Sequence, residues 1–279
     1  MCLVFAPPMS EWLLPFFSYM GLGALVGLMA GMLGIGGGFI IVPSLLLLFG
    51  MQGVGRDMAT QMAVATSLAT ILATSVSSAH AHHRRGSVSW PLFARSSPSL
   101  FLGSLGGAWL ASFLPGSAVR MVFALFAMAM SFQMGFGRPP QQARALPGGL
   151  MLALGGSLIG LLSGLVGIGG GSLLVVGFSL YGLSMRQAIG TSAACTLPIA
   201  LGGALGHWLM GLGIAGRPMG TLGYIHIEAA IGIALASVLL APLGARLAHH
   251  LPIPLLKRFF ALFLFLLGLQ LLWRNLPWG

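Results

Sequence analysis

The sequence contains one glycine-rich pattern twice. The first copy reads Gly23-x3-Gly27-x3-Gly31-x2-Gly34-Ile35-Gly36-Gly37-Gly38, and the second reads Gly156-x3-Gly160-x3-Gly164-x2-Gly167-Ile168-Gly169-Gly170-Gly171. Each glycine of the second copy lies 133 positions after its counterpart in the first. A duplicated unit with a helix-breaking centre, set in apolar sequence, is typical of membrane transporters whose substrate site lies between two similar halves.

Composition places the chain in a lipid bilayer. Of its 279 residues, 57% are hydrophobic and 6% are charged, whereas about a quarter of the residues of a soluble domain are charged. The net charge is +10, but most basic residues lie in loops or at segment ends, where orientation signals and lipid phosphates account for them. We therefore expect a multi-pass protein of the cell membrane that binds lipid and not nucleic acid.

Eight hydrophobic segments divide the chain into two halves of about 13–137 and 148–274, joined by 138–147, within one transporter domain that covers 1–279. The segments are about 13–49, 58–80, 92–113, 118–137, 148–181, 186–211, 224–248 and 254–274. The repeat extends beyond the glycines, since Thr66-Ser67 matches Thr191-Ser192. The sequence predicts an all-α integral membrane protein in which each half has a Gly-broken segment and three transmembrane helices.

The basic residues favour an inverted relation between the halves. If each broken segment crosses the membrane once, six basic residues face one side and seven the other. If each broken segment returns to its starting side, nine basic residues face one side and four the other. Such an excess on one side is what the positive-inside rule associates with the cytoplasm. We expect this second, re-entrant arrangement, with a pseudo-two-fold relation, both termini outside the cytoplasm and Arg84-Arg85 inside.

The glycines have two different interpretations. Gly23, Gly27 and Gly31, like Gly156, Gly160 and Gly164, lie on one helix face, where small residues let another helix approach closely. Three consecutive glycines instead favour an unwound turn with exposed backbone N–H and C=O groups. The short apolar pieces that follow, at 39–49 and 172–181, cover about half the bilayer.

The doubled Gly-Ile-Gly-Gly-Gly motif, with the Thr-Ser motif after each copy, resembles the sulfite exporter TauE/SafE family over nearly the whole chain. The first copy, from Gly34 to Pro43, is close to the family pattern, whereas the second has Val176 where the first has Pro43. Residues 223–228 resemble the start of the family's seventh span. The resemblance implies a multi-pass permease for small sulfur-containing anions such as sulfite or organosulfonates.

The predicted substrate site lies between the two breaks. Two half-helix N-termini would attract an anion through their free N–H groups and positive dipole ends, and nearby hydroxyls would donate hydrogen bonds to it. Tight helix packing and hydrogen bonds within helices are the alternative. The candidates are Gly36, Gly37, Gly38, Phe39, Thr66, Ser67, Gly169, Gly170, Gly171, Ser172, Thr191 and Ser192. Because Ser172 matches Phe39, we expect one polar wall and one apolar wall.

Other polar groups are weaker candidates. The run from His80 to Arg85 is interpreted as a loop orientation signal rather than a metal site, and Arg120 as an interface anchor. His207 could relay a proton or lie at the interface, the carboxylate of Glu228 lies where a helix dipole stabilises it, and Cys195 is interpreted as an apolar filler.

We predict a secondary transporter for a small anion that works by alternating access. The sequence suggests no catalytic residue, no metal ligand set and no cofactor. An integral-membrane enzyme and a non-transporting membrane partner are the alternatives; the coupling ion, the direction of transport and assembly into a homo-oligomer stay open.

Overall fold

The computed structural model describes residues 9–33, 37–136, 148–248 and 253–275, and this part of the chain is almost entirely helical. Its elements are α1 (Met9–Leu33), α2 (Gly38–Met51), α3 (Arg56–Arg84), α4 (Trp90–Phe113), α5 (Gly116–Phe136), α6 (Gly149–Val166), α7 (Gly171–Leu180), α8 (Met185–Met210), β1 (Thr221–Leu222), β2 (Ile225–His226), α9 (Ile227–Ala248) and α10 (Ile253–Asn275). The two strands form a small antiparallel hairpin between α8 and α9. The prediction of an all-α protein is confirmed.

Both segments that were predicted to be broken consist of two helices. Segment 13–49 contains α1 and α2, and segment 148–181 contains α6 and α7. At the second break, Gly167 and Gly170 have φ angles of +81° and +65°, the left-handed region that glycine adopts without a steric penalty. Residues 34–36 of the first break and the join at 138–147 lie outside the described residues.

Five helices of the described part are long and apolar enough to cross a membrane, judged by length and composition. They are found within Arg56–Arg84, Gly116–Phe136, Gly149–Val166, Met185–Met210 and Arg258–Asn275. α7 has only 10 residues, about 15 Å of helix, which is half of the hydrocarbon thickness. The chain is a multi-pass membrane protein that contains a half-length helix after the second break.

The glycine-rich helix of each half packs against a helix of the other half: α1 along α9, and α6 along α4. A Cβ atom placed on Gly23 or Gly27 would lie 2.6 Å from the carbonyl oxygen of Ile233 or Ser237, respectively. Substitutions at these positions therefore push the backbones of α1 and α9 apart.

α6 repeats this arrangement on α4. A Cβ on Gly160 would overlap the carbonyl oxygen of Leu100, and one on Gly164 would overlap that of Ser104. Gly156, on the same face, packs against the side chain of Ser99 rather than against backbone. The predicted packing function is thus confirmed for the described glycines of both faces. Gly31 lies in α1, but its surroundings are outside the described residues.

α2 turns back along α1 after the first break. Gln52, directly after α2, donates a hydrogen bond from Nε2 to the Tyr19 hydroxyl oxygen in α1, with an N···O distance of 2.8 Å. Gly37, at the start of α2, contacts Val26 in the middle of α1. α2 therefore runs back along α1, which is the geometry that a re-entrant segment needs; its orientation in the membrane stays a prediction.

Candidate functional site

The structure brings the start of α2 against the second break. A Cβ atom on Gly38 would lie 2.8 Å from the carbonyl oxygen of Gly167 and 3.0 Å from Cα of Ile168. Ser67 of α3 donates a hydrogen bond to the same Gly167 carbonyl oxygen, at 2.8 Å. The predicted site residues Gly38 and Ser67 therefore meet the second glycine motif, although the two motifs are far apart in sequence.

The second break folds back onto α6 and α8. A Cβ on Gly170 would lie 2.7 Å from Ser163 Oγ and 2.8 Å from Cδ1 of Ile199, so the left-handed turn fits only a residue without a side chain. Ser192 donates a hydrogen bond of 2.5 Å to the carbonyl oxygen of Gly171. Gly169 packs against the Thr196 methyl group, and the whole turn is held in contact with α8.

Two serines beside this turn have buried hydroxyls without partners. Ser163 is 1% exposed and Ser172 is 6% exposed. Neither Oγ atom has a hydrogen-bond partner among the described residues. A buried polar group that makes no hydrogen bond costs about 1–3 kcal/mol. Two such groups, one on α6 and one in the first turn of α7, therefore indicate a place where a polar ligand would be stabilised.

The backbone adds a positive potential at the same place. α7 begins at Gly171, and its first hydrogen bond runs from the Leu174 N–H to the Gly170 carbonyl oxygen. The N–H groups before Leu174 have no partner within the helix, because a helix leaves its first N–H groups free. These groups and the helix dipole amount to about half a positive charge at the N-terminus, which suits an anion.

Ser163 was not among the predicted site residues. Its place between Gly160 and Gly164 suggests a packing position, and only the return of the chain at Gly170 brings it beside α7. One signal was present in the sequence: the position 133 residues earlier is Ala30. The two copies of the repeat therefore differ by a hydroxyl at this point, as they do at Ser172 and Phe39.

The first half has an apolar surface where the second has hydroxyls. Phe39 is buried; its ring stacks on Phe126 with a centroid distance of 5.8 Å, and the edges of Phe123 and Phe260 pack nearby. Gly37 has a φ angle of −76° and a ψ angle of −6°. We expected an unwound turn at this glycine, but its backbone has helical angles that alanine could also adopt. What opposes a side chain there is contact with Val26. Gly36 lies outside the described residues.

Thr66 and Thr191, which correspond in the repeat, each accept a hydrogen bond from the backbone just before a helix of the opposite half. Thr66 Oγ1 accepts a hydrogen bond from the backbone N–H of His226, just before α9, at 3.0 Å. Thr191 Oγ1 accepts one from the backbone N–H of Ser89, just before α4, at 2.9 Å. Both threonine side chains are completely buried. The two hydroxyls thus make corresponding contacts across the halves, and their use as substrate ligands stays a prediction.

Comparison with known proteins places this arrangement in a family. The sequence profile described as "Sulfite exporter TauE/SafE" matches residues 19–271. The chain belongs to the sulfite exporter TauE/SafE family. The match covers both glycine motifs, both Thr-Ser motifs and the two short helices α2 and α7, so the resemblance noted from the motifs is confirmed.

Curated relatives of this family member are named as membrane transporters. A "Probable membrane transporter protein" of Haemophilus influenzae is 33% identical over 251 residues, which are 89% of this chain and 95% of the relative. The "Probable membrane transporter protein YdhB" of Bacillus subtilis is 26% identical over 247 residues, 84% of this chain and 90% of the relative. No solved structure matches the chain.

The basic run from His80 to Arg85 does not form a loop, as the sequence analysis expected, because His80 to Arg84 belong to the last turns of α3. His82 Nδ1 lies 3.1 Å from Ser87 Oγ, and Trp90 Nε1 donates to His83 Nδ1 at 3.2 Å. Within the described ranges, no group of three or more His, Cys, Asp or Glu side chains could hold a metal ion. Cys195 is buried in a small apolar cluster with Leu100 and Ile199, as predicted for a filler.

Arg120 belongs to a polar cluster at one end of α3, α5 and α10. Its Nη1 donates to Thr60 Oγ1 at 2.6 Å and lies 3.8 Å from Asp57 Oδ1, and its Nε donates to Asn275 Oδ1 at 3.2 Å. A crevice beside Thr60 and Arg120, lined also by Val64 and other apolar side chains, is too narrow for a water molecule. These bonds connect the starts of α3 and α5 with the end of α10, and the interface-anchoring function of Arg120 stays a prediction.

The loop before α9 carries a buried histidine, His226. Burial lowers the pKa of His226, which favours the neutral ring. Its Nδ1 accepts the Ala229 N–H at 3.3 Å, and its ring packs between Tyr19 and Phe49. His226 therefore contributes to the structure as a neutral ring.

Proposed function

We propose that this member of the family is a secondary transporter that moves a small sulfur-containing anion, of the sulfite or organosulfonate type, by alternating access. The family description and the names of the relatives support transport, and the family description supports a sulfur-containing cargo. We propose transport rather than an enzymatic reaction.

The pair of unpartnered hydroxyls beside the second break is the observation that carries this proposal. An anion held there would accept hydrogen bonds from Ser163 and Ser172, and from the free N–H groups of 171–173. Hydrogen bonds to a charged group contribute about 1.5–3 kcal/mol each. The site would need no buried lysine or arginine, because the helix N-terminus supplies the positive potential.

The remaining predicted residues would support this site from outside. Ser67 and Ser192 donate hydrogen bonds to the carbonyl oxygens of Gly167 and Gly171, and these bonds would keep the two acceptors from repelling an anion. Phe39 and its aromatic neighbours, close to the Gly38–Gly167 contact, would form the apolar wall. A polar wall opposite an apolar one suits an organosulfonate at least as well as sulfite.

We propose that the two halves are inverted repeats that move relative to each other. Three pairs of corresponding contacts support this relation: α1 on α9 with α6 on α4, α2 on α3 with α7 on α8, and the two threonine bonds to the opposite half. The turn at Gly170 is packed tightly against Ile199, so an anion would reach the hydroxyls only when α7 shifts away from α8. Such a shift is the local step that alternating access requires.

Uptake into proteoliposomes tests the proposal. Purified protein should carry labelled sulfite or an alkanesulfonate into vesicles, and empty vesicles should not. Replacing Ser163 and Ser172 together with alanine should weaken the apparent affinity at least about tenfold, since each 1.4 kcal/mol is tenfold. Ser179→Ala is the matched control, because Ser179 lies on the same helix and donates to its own helix at Val176.

Three results would count against this function. Absence of uptake of either anion class by well-folded wild-type protein would favour a non-transporting partner, and chemical change of the anion without transport would favour an enzyme. Wild-type affinity in the Ser163→Ala, Ser172→Ala double variant would move the site away from the second break.

A further inference from the structure

A completely buried histidine lies in the last turn of α8, against the helix that carries the second break. His207 is 0% exposed, and its Nε2 lies 3.1 Å from the carbonyl oxygen of Gly164 in α6. A carbonyl oxygen can only accept, so Nε2 carries the hydrogen and donates. In the neutral ring Nδ1 is then the acceptor, and it has no partner among the described residues.

The surroundings of His207 connect the proposed anion site with the loop before α9. Gly164 directly follows Ser163, whose hydroxyl faces the Gly170 turn. On the other side, the Tyr224 ring packs edge-on against the His207 ring at a centroid distance of 6.4 Å, and the Tyr224 N–H donates to the His207 carbonyl oxygen. The histidine thus lies between α6 and a loop that carries exposed residues.

Few other charged or titratable groups are near this ring. α6 and α7 contain none. Tyr224 contacts the ring directly, and Arg217 donates to the carbonyl oxygen of the neighbouring Gly223 at 3.2 Å. The other such groups on α8 and on the elements packed against it are Arg186 and Cys195 on α8, Arg95 on α4, His226 on β2, and Arg56, Asp57, His80, His82, His83 and Arg84 on α3.

We propose that Nδ1 of His207 binds the proton that is carried together with the anion. The inference rests on the proposed transport function and adds its coupling ion. A proton from the water on one side forms an N–H bond at Nδ1 and is released to the water on the other side. While it is bound, the imidazolium ring places a positive charge beside Gly164, the residue that follows Ser163. Opposite charges attract strongly in a low-dielectric interior, so proton and anion bind cooperatively.

The test uses ethanesulfonate, which stays anionic at all accessible pH values and therefore cannot carry the proton itself. Proteoliposomes are clamped at zero membrane voltage and given an inward proton gradient of about one pH unit. One proton per anion makes the inside concentration about tenfold higher than the outside, because one pH unit corresponds to about 1.4 kcal/mol. The direction of the proton gradient determines on which side the anion accumulates. Protein molecules inserted in either orientation therefore contribute in the same direction.

His207→Gln is the decisive variant. A glutamine amide can still donate to the Gly164 carbonyl oxygen, but it cannot bind a proton. It should equilibrate ethanesulfonate without accumulating it, whereas the control His226→Gln should accumulate it like the wild type. Tenfold accumulation by His207→Gln, or wild-type accumulation that ignores the gradient, would overturn the proposal and leave anion transport in place.

A second measurement decides the question without transport. Histidine labelled with ¹⁵N gives separate ring signals in lipid nanodiscs, and the His207 signal is assigned by its loss in His207→Gln. With ethanesulfonate present, that signal should shift as the pH is lowered, because the anion and the proton bind cooperatively in the proposed mechanism. If wild-type protein does not move ethanesulfonate, the proposed function fails for this anion class. A His207 signal that stays constant with pH refutes proton binding whatever the transport result.

Discussion

Replacing Thr66 with valine should destabilise the protein by about 1–3 kcal/mol, the cost of leaving a buried hydrogen-bond donor unpaired. The donor is the backbone N–H of His226, 3.0 Å from Thr66 Oγ1, and the contact is buried. Valine keeps the branched shape but removes the acceptor. Thr191→Val removes the acceptor of the Ser89 N–H at 2.9 Å. Because Ser89 is only half-buried, water can replace the lost partner, and we expect about 0.5–1.5 kcal/mol.

Thr70→Val is the control for both substitutions. Thr70 is equally buried, but its hydroxyl donates to the Thr66 carbonyl oxygen of its own helix, so its removal leaves no donor unpaired. Thermal unfolding of the three variants in detergent or nanodiscs gives the order of stability, and we expect Thr66→Val to be the least stable. A Thr66→Val protein as stable as Thr70→Val would refute the inference that Thr66 stabilises the start of α9.

The same variants separate structure from substrate binding. If the threonines only hold α4 and α9, the apparent affinity for the anion stays unchanged in protein that remains folded. If they also bind the substrate, Thr66→Val with Thr191→Val weakens the affinity by about 1.5–3 kcal/mol for each hydroxyl, as for other hydrogen bonds to a charged group. Uptake measured at several anion concentrations distinguishes these outcomes.

Three further predictions concern glycines and topology. Gly27→Leu should destabilise the protein by at least about 1–3 kcal/mol through overpacking against α9, seen as loss of folded protein after purification; normal yield would contradict it. Gly170→Ala should insert normally but transport slowly, because a left-handed turn costs alanine about 1–2 kcal/mol. The control is Gly177→Ala, which has open space around its Cβ position and should transport normally. A normal transport rate for both variants would show that the turn is not part of the site. A reporter fused to the C-terminus should be outside the cytoplasm and Arg84-Arg85 inside; a cytoplasmic C-terminus would exclude the inverted arrangement.

The helical architecture could be predicted from local pattern because apolar length and glycine spacing act within one segment. Gly23, Gly27, Gly160 and Gly164 repeat every four residues, which places them on one face, and that face does contact another helix backbone. The two breaks were also predictable, since consecutive glycines weaken any helix. The sequence did not reveal which helix each glycine face packs against, because that depends on how the halves interleave.

The candidate site was predicted only in part. Ser172 was identified because it follows the glycine motif, but Ser163 resembles a packing residue until the chain folds back at Gly170. Gly37 and Gly170 occupy the same place in the repeat, yet Gly37 has ordinary helical angles and Gly170 a left-handed φ. These two corresponding glycines therefore have different conformations in the two halves, because their tertiary neighbours differ.

By itself the sequence determined the membrane environment, the all-α fold class, the two breaks and the family motifs, since composition and short-range spacing carry that information. Only the tertiary structure decided which hydroxyls are bonded and which are left without a partner. Thr66, Ser67, Thr191 and Ser192 have bonds to backbone groups, whereas Ser163 and Ser172 have none among the described residues. The physical reason is that a hydroxyl buried in an apolar protein is satisfied by whatever backbone group the fold brings within about 3 Å, and three of these four bonds join residues of opposite halves.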